Sequence, residues 1–256
     1  MIRGEPTAAI IDADFFVYRI GFSCEDEEQS LAEARLTEWF TDIVYFKLKV
    51  DTFKAYITGK TNFRNEIAVT HPYKGNRKDF VKPKHYEALR SRLIRMGAEV
   101  TDNEEADDAV AIESCRSNSW IVHQDKDLDQ LEGWHYNPIK EHKYYVTAFE
   151  GLKNFYRQML TGDRIDHIVG LRGIGPVKAD RLIKDCNTEI ELYTAVCEAY
   201  EKAGEPLERV IENARLLWLR REEGQLWEPP IETKQRKGEG QELTAMGAEE
   251  AARVCS

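Results

Sequence analysis

The sequence has few of the features that mark secreted, membrane and zinc-finger proteins. Its 256 residues include only five cysteines, and no two have the C-x-x-C spacing of zinc and redox motifs. The six histidines do not fall in a ligand spacing either, so we expect no zinc site. The beginning, MIRGEPTAAIIDAD, contains no long apolar run, so we expect no signal peptide and no membrane span. Scattered cysteines favour the reducing cytoplasm.

Motifs for nucleotide hydrolysis and for repeat architectures are also absent. No G-x-x-x-x-G-K-[ST] loop occurs, so ATP is not implied. No internal repeat is visible and nothing indicates oligomerisation, so we expect a monomer. A hydrophobic fraction of 42% with 32% charged residues is ordinary for a globular chain of this length, which can bury a full core.

Charge is distributed unevenly along the chain. The formal net charge of −10 is unusual for a protein that binds nucleic acid. Between His71 and Arg95, however, eight basic residues stand against two acidic ones. A net negative charge is also expected where acids are gathered to hold cations. The segregated charge is therefore compatible with a polyanionic partner.

The hydrophobic pattern predicts an α/β protein. Thr7–Phe16 has the pattern of a buried strand whose apolar run ends at Asp12, and Leu31–Val50 that of a long amphipathic helix. In this helix we expect these side chains to point inward: Leu31, Trp39, Ile43, Phe46 and Val50. Strands and helices alternate in the first half, which predicts a parallel sheet, while the second half is mainly helical. We expect a core at 1–160, a helical region at 161–230 and a disordered tail at 231–256, which has few large apolar residues.

Acidic residues recur where the predicted strands end and the predicted helices begin. They fall in four groups: Asp12; Glu105, Asp107 and Asp108; Asp125 and Asp127; Asp163 and Asp166. One such group alone is explained by helix capping or by a turn. Four groups together favour a site for Mg²⁺ or Mn²⁺, which prefer carboxylate oxygens. Two such ions about 4 Å apart could hydrolyse a phosphodiester.

A glycine-rich turn, Gly173–Pro176, follows the last two aspartates and leads into a predicted helix. Proline suits the first helical position, and free N–H groups at a helix start bind anions. Such a turn can hold a phosphate backbone without reading bases. The alternative is an ordinary helix corner with glycines for close packing.

Five segments occur in the order found in one known family. They are IDADFFVYR, PYKGNRK, EADD, QDKDLDQL and TGDRIDHIVGLRGIGPVKADRLI, and they cover roughly Ala8 to Lys184. The chain thereby resembles the 5′-nuclease superfamily of flap endonucleases and 5′–3′ exonucleases. It is most similar to the bacteriophage exonucleases and to the 5′-nuclease domain of bacterial DNA polymerase I.

The resemblance implies a PIN-like α/β core with a helical arch at about 71–84 and a helix–three-turn–helix DNA clamp. It implies one metal site formed by Asp12, Glu105 and Asp107, with Asp108 beside it, and a second formed by Asp125, Asp127, Asp163 and Asp166. Lys74 and Arg77 match catalytic arch positions that engage the scissile phosphate. The resemblance and the glycine-rich turn together imply these DNA contacts: Arg19, Tyr73, Lys74, Arg77, Lys78, Gly173, Gly175 and Lys178. In the family the clamp often holds K⁺.

One departure from the family pattern concerns the end of the second strand. The family usually has an aspartate there, and Gly59 takes its place in this chain, where Asp14 could compensate for it. The resemblance and this departure together imply an active nuclease of replication or repair with a higher metal requirement, a weakened nuclease, or an inactivated form that still binds branched DNA. A PIN-type ribonuclease is a third reading. A large gain of activity in Gly59→Asp would show that the missing ligand limits catalysis.

Overall fold

The computed structural model of the chain describes residues 4–77 and 80–230. Lys78, Asp79 and the expected disordered tail at 231–256 lie outside the described residues. Within the described ranges, no helix is both long and apolar enough to cross a membrane.

A six-stranded sheet forms the centre of the first half of the chain. Its strands lie in the order β3-β2-β1-β4-β5-β6. They are β1 (Ala8–Asp12), β2 (Thr52–Ile57), β3 (Ala98–Val100), β4 (Trp120–Val122), β5 (Gly133–Asn137) and β6 (His142–Val146). All neighbouring pairs are parallel except β5 and β6, which form an antiparallel hairpin at one edge. The predicted α/β class with a mainly parallel sheet is confirmed.

Helices connect the strands and continue through the second half of the chain. They are α1 (Asp14–Ser23), α2 (Gln29–Thr41), α3 (Arg64–Ile67), α4 (Tyr86–Arg95), α5 (Ala106–Arg116), α6 (Ala148–Thr161), α7 (Pro176–Ile183), α8 (Glu189–Lys202) and α9 (Leu207–Leu217). A π-helical turn, Asp42–Lys47, extends α2, so the long helix expected at Leu31–Val50 is present in this altered form.

Two details of the sequence prediction were wrong. The expected strand through Phe16 ends at Asp12, and Asp14 already begins α1. Tertiary packing of Phe15 and Phe16, both buried, overrides the β-favouring pattern of this aromatic stretch. Leu31 and Phe46, expected inside, are 39% and 68% exposed. The buried face of α2 is formed by Ala32, Leu36 and Phe40, and both Leu31 and Phe46 lie off that face.

The chain forms two compact units, which interleave along the sequence. Of the described residues, the first unit comprises 4–66, 76–77, 80–151 and 219–225, and the second comprises 67–75, 152–218 and 226–230. In the first unit, one face of the sheet packs against α1, α2 and α4, and Ile10 and Ile121 on the other face pack with α5 residues such as Val110. The domain boundaries predicted from the sequence stay a prediction.

The second unit is held together by buried polar contacts as well as by its helices. A short hairpin, β7 (Gly162–Asp163) and β8 (Ile168–Val169), carries the acidic segment between α6 and α7. The Tyr200 hydroxyl donates to the Met159 carbonyl at 2.6 Å, and the Asn213 amide donates to the Val169 carbonyl at 2.9 Å. These bonds connect the hairpin and the end of α6 to α8 and α9.

Candidate metal centre

The sheet order explains how acids from distant parts of the sequence become neighbours. Strands β1 and β4 are adjacent and parallel, so their carboxyl ends lie at the same edge. Asp12 is the last residue of β1, and Asp125 follows three residues after β4. In open parallel sheets this edge is where ligands bind. The topology therefore places both aspartates where a site is expected.

Asp14 stands beside Asp12 at the first turn of α1. Its backbone N–H donates to Asp12 Oδ1 at 3.2 Å, and its own Oδ2 accepts from the Thr58 N–H at 3.0 Å. The Arg90 guanidinium lies 3.6 Å from Asp14 Oδ1. Burial raises the pKa of Asp14, while the hydrogen bonds from Thr58 and the charge of Arg90 act in the opposite direction. Asp14 is thus held in one orientation from two sides.

Glu105 brings a fourth acid to this edge from the start of α5. Burial, followed by the charges of Asp14, Asp125 and Glu105, raises the pKa of Asp12 well above its ordinary value of 3.8. These carboxylates therefore lie close enough to repel one another. We call Asp12, Asp14, Glu105 and Asp125 the carboxylate edge.

The carboxylate edge fits a hard divalent cation. All four side chains offer oxygen atoms, the donors that Mg²⁺ and Mn²⁺ prefer. Like charges in a buried place cost free energy unless a cation neutralises them, and the raised pKa of Asp12 reflects that cost. The donor set and its electrostatics thus agree with the expectation of a metal site.

Asp107 and Asp127 lie next to members of the carboxylate edge along the chain. Asp107 Oδ1 accepts from the Asp108 N–H at 2.7 Å in the first turn of α5. The Asp127 N–H donates to Asp125 Oδ1 at 3.0 Å at the start of a 3₁₀ turn, Lys126–Gln130. Their predicted roles as metal ligands stay a prediction.

Asp108 differs from the other acids of the EADD motif. Its side chain is fully buried, and Arg64 Nη2 donates to its Oδ1 at 2.9 Å. The same carboxylate accepts from the N–H groups of Glu105 and Arg220, so it also caps α5. The Arg64 guanidinium, itself 2% exposed, neutralises this charge. The geometry favours a structural part for Asp108, which orients Glu105 through the start of the helix.

Gly59 occupies a position without room for a side chain. A Cβ atom added there would lie 2.0 Å from the Thr101 carbonyl oxygen, and the Gly59 N–H faces the Thr101 hydroxyl at 3.2 Å. An aspartate at this position would require the backbone of Thr101 to move. The segment after β2 therefore packs so closely against the segment after β3 that the aspartate usual in the family has no room at position 59.

Comparison with solved structures shows which known fold this arrangement belongs to. The bacteriophage T5 D15 protein crystallised with metal ions is 16% identical, with a TM-score of 0.59 over 82% of this chain and 88% of that chain. The T5 5′-exonuclease with bound zinc gives 16% identity and 0.60 over 82% and 89%. The catalytic core of Rad2 in complex with DNA substrate gives 14% and 0.51 over 78% and 66%. The chain has the 5′-nuclease fold. No family model and no curated protein matches the sequence.

In this 5′-nuclease fold, the second unit carries the remaining predicted metal ligands. Asp163 is buried, and its Oδ1 accepts from the N–H groups of Ile165 and Asp166. Asp166 accepts a hydrogen bond from the Tyr73 hydroxyl at 2.7 Å and lies 3.6 Å from Lys74 Nζ. Two arch residues and an acidic hairpin thus meet within one unit. The roles of both aspartates as ligands stay a prediction.

Further contacts fix the positions of Tyr73 and Lys74. The Lys74 N–H donates to the Asp166 carbonyl at 2.9 Å, and its backbone has a φ of 52°. The ammonium group of Lys74 stands 5.1 Å from the centre of the Tyr73 ring. The remaining expected DNA contacts of the first unit, Arg19 and Arg77, are exposed, while Lys78 lies outside the described residues.

The glycine-rich turn has the local structure that the sequence predicts. Gly173 has a φ of 77°, which only glycine adopts without strain, Gly175 is the N-cap of α7 and Pro176 is at its start. Lys178 Nζ donates to the Gly173 carbonyl at 2.8 Å, and Val177 is 72% exposed. The turn is an exposed helix start of the kind that binds phosphate.

Sequence reasoning missed the residues that orient the acids. Thr58 holds Asp14, Arg90 balances it, and Arg64 neutralises Asp108. A threonine or an arginine gives no signal of such a role in a single sequence. Asp14, expected to compensate for a missing ligand, stands beside Asp12 and is a candidate ligand in its own right.

Proposed function

We propose that the chain is a metal-dependent 5′–3′ exonuclease and structure-specific flap endonuclease that hydrolyses DNA. The carboxylate edge at the strand ends of a 5′-nuclease fold is the observation that carries this proposal. Solved structures of the same fold include the bacteriophage T5 D15 flap endonuclease in complex with DNA and metal ions. They also include the catalytic core of Rad2 in complex with DNA substrate. The proposed setting is replication or repair of phage or bacterial DNA in the cytoplasm.

The acids are proposed to bind and orient two divalent ions, Mg²⁺ or Mn²⁺. Asp12, Glu105 and Asp107 would hold one, and the proposed ligands of the other are Asp125, Asp127, Asp163 and Asp166. When bound, such ions supply an activated water and stabilise the leaving oxygen of the phosphodiester. Asp14, fixed by Thr58, is proposed to strengthen the first set in place of an acid at position 59.

The basic residues are proposed to handle the substrate. Lys74 and Arg77 would contact the scissile phosphate and stabilise the negative charge that develops on it. The start of α7 at Gly173 and Gly175, with Lys178, would hold one backbone of the duplex, and K⁺ is the proposed ion at this turn. Arg19, Tyr73 and Lys78 are proposed as further DNA contacts. Such contacts position the duplex without reading its sequence.

An end-labelled 5′-flap DNA tests the activity directly. The purified chain is incubated with this substrate while Mg²⁺ or Mn²⁺ is titrated, and the product lengths are measured. We expect metal-dependent cleavage near the junction, because the carboxylate edge requires a cation to act. The double variant Asp125→Asn/Asp127→Asn should abolish it.

Glu132→Gln is the matched control for the double variant. Glu132 is an exposed acid in the same connection, and it accepts a hydrogen bond from the Tyr145 hydroxyl rather than facing the carboxylate edge. Its variant should cleave like the natural chain. Absence of cleavage at any metal concentration, with flap binding retained in a gel-shift assay, would contradict the nuclease proposal.

The second candidate function is a structure-specific DNA-binding protein with little catalysis. The observation that favours it is Gly59, since the tight packing against Thr101 excludes a side chain there. Binding without cleavage in the flap assay would support it. A substrate with an RNA flap, tested in parallel, distinguishes these two DNA-directed functions from a PIN-type ribonuclease, which would cleave the RNA.

A further inference from the structure

Two buried histidines lie side by side on neighbouring strands of the sheet. His123 follows β4 directly, and His135 is the central residue of β5. Their side chains are 1% and 0% exposed, and His123 Nε2 lies 2.8 Å from His135 Nδ1. From the sequence we expect no zinc site, because the histidines do not have the spacing of a zinc-binding motif. The parallel pairing of β4 and β5 brings two of them together nevertheless.

Backbone carbonyls determine which ring nitrogens carry hydrogen. His123 Nδ1 contacts the Asp125 carbonyl, and His135 Nε2 lies 3.0 Å from the Leu131 carbonyl. A carbonyl oxygen only accepts, so both of these outer nitrogens must donate. In two neutral rings the inner nitrogens, His123 Nε2 and His135 Nδ1, then present lone pairs to each other. The two facing lone pairs repel each other, and a cation between the two rings would relieve that repulsion.

A metal ion is the cation that suits two inner nitrogens held in this way. Neutral imidazole is the form that binds metal ions, and histidine ligands commonly donate their outer N–H to a backbone carbonyl.

Asp129 supplies a third ligand atom to the same point. Its Oδ1 lies 3.8 Å from His123 Nε2 and 4.0 Å from His135 Nδ1. A point equidistant from the three atoms is about 2.1 Å from each, which is the length of zinc bonds to nitrogen and oxygen. The Tyr144 hydroxyl donates to the same Asp129 oxygen at 2.7 Å and lies 3.4 Å from His123 Nε2.

We propose that His123 Nε2, His135 Nδ1 and Asp129 Oδ1 form a binding site for a transition-metal ion of the Zn²⁺ class. Two imidazoles and one carboxylate are the donors that zinc accepts, whereas the carboxylate edge offers only oxygen. Tetrahedral zinc spaces its nitrogen ligands about 3.3 Å apart, so binding moves the two rings apart slightly.

The ion at this site has a structural consequence for the connection from His123 to His135. That connection includes Asp125 and Asp127, and the outer nitrogen of His123 bonds to the backbone of Asp125. An ion that joins both ends of the connection therefore fixes the backbone from which Asp125 projects. This role does not depend on whether the chain cleaves DNA.

Metal binding to the full chain tests the proposal without an activity assay. The protein is stripped with EDTA, dialysed against Zn²⁺ in the presence of millimolar Mg²⁺, and its zinc content is measured by mass spectrometry. Magnesium saturates oxygen-ligand sites but competes weakly for imidazole. We expect one zinc per chain to be retained. Co²⁺ in its place should give the intense visible absorption of a tetrahedral site.

Two variants and one matched control locate the ion. His135→Gln and Asp129→Asn each remove a ligand and should weaken zinc binding at least about tenfold. His85→Gln replaces a buried histidine elsewhere, whose Nε2 contacts the Glu27 carbonyl at 3.0 Å, and should leave zinc binding unchanged. Absence of retained zinc in the natural chain would overturn the proposal, and so would equal retention in the ligand variants.

Discussion

Glu105 and Asp108 stand three residues apart at the start of one helix, yet the Arg64 guanidinium holds them unequally: its Nη2 lies 2.9 Å from Asp108 Oδ1, and its Nη1 lies 3.8 Å from Glu105 Oε2. Asp108 is fully buried against the Arg64 guanidinium, which neutralises it. Glu105 contributes to the carboxylate edge, where burial and the charges of Asp14 and Asp125, together with that of Glu105, raise the pKa of Asp12. A buried acid paired with a fixed cation destabilises the fold when that cation is removed, because its charge is left uncompensated. Crowded acids instead repel one another, and binding of a metal ion relieves that repulsion. The difference separates a structural acid from a candidate ligand.

The largest effect that tests this comparison concerns the structural pair. Arg64→Met removes the cation and leaves the Asp108 charge buried, so we expect a loss of about 3–5 kcal/mol in the free energy of unfolding. Urea denaturation followed by circular dichroism measures it. Arg116→Met is the control, because Arg116 and its partner Glu223 are both largely exposed, and it should change little. Equal stability of the two variants would contradict the comparison.

The next effect concerns catalysis at the carboxylate edge. Asp12→Asn removes one proposed ligand, and we expect metal-dependent flap cleavage to fall about a hundredfold or more. Folding should persist, because the variant removes a crowded charge. Asp108→Asn should show the reverse pattern, with lower stability and nearly normal cleavage per folded molecule. Cleavage rates measured at saturating Mg²⁺, with urea denaturation in parallel, distinguish the effects of the two variants. Loss of cleavage without loss of stability in Asp108→Asn would assign Asp108 to the metal site.

A smaller effect is expected at Gly59. Both Gly59→Ala and Gly59→Asp place a Cβ atom against the Thr101 carbonyl, so we expect each to cost about 1–3 kcal/mol. Neither should increase cleavage. Gly4→Ala is the control, since a Cβ atom there meets nothing within 4 Å. Thermal unfolding and the flap assay measure both properties. A gain of cleavage in Gly59→Asp with unchanged stability would show that a ligand is missing from the site.

The smallest effect is the pH dependence of the metal-free protein. The folded-state pKa of Asp12 is raised above 3.8, chiefly by burial, so its ionisation opposes folding. This destabilisation is absent below the ordinary pKa and grows as pH rises through the folded-state value. Asp12→Asn should therefore be more stable than the natural chain at neutral pH in EDTA, and the gain should vanish at low pH. Melting temperatures between about pH 4 and 8 measure it.

Added Mg²⁺ provides the control for this pH effect. A bound cation neutralises the carboxylate edge, so the natural chain should gain stability with Mg²⁺ while Asp12→Asn gains less. A natural chain that is more stable than Asp12→Asn at neutral pH without metal would contradict the crowding of these carboxylates.

Much of the fold could be predicted because its signals are local. Alternating apolar runs indicated the strands, and the order of motifs indicated the 5′-nuclease fold. The turn at Gly173–Pro176 was predictable in detail because glycine and proline act on their own backbone. Phe15 and Phe16 misled the strand prediction, since the same apolar residues can pack from a helix.

The partners of the acids could not be predicted from the sequence. Arg64 and Asp108 lie 44 residues apart, as do Asp14 and Thr58, and no local pattern connects them. The lack of room at Gly59 depends on the position of Thr101, which directly follows the neighbouring strand β3. These contacts arise only when the strands assemble into the sheet.

The sequence by itself determined the α/β class, the strand ends at which acids gather, and the glycine-rich helix start, because each depends on residues close together in the chain. Only the tertiary structure decided which acids are neutralised by arginine and which crowd together. It also decided that His123 and His135 lie next to each other and close to the Asp129 carboxylate. The physical reason is that charge and coordination act through space, so their effects depend on which strands become neighbours.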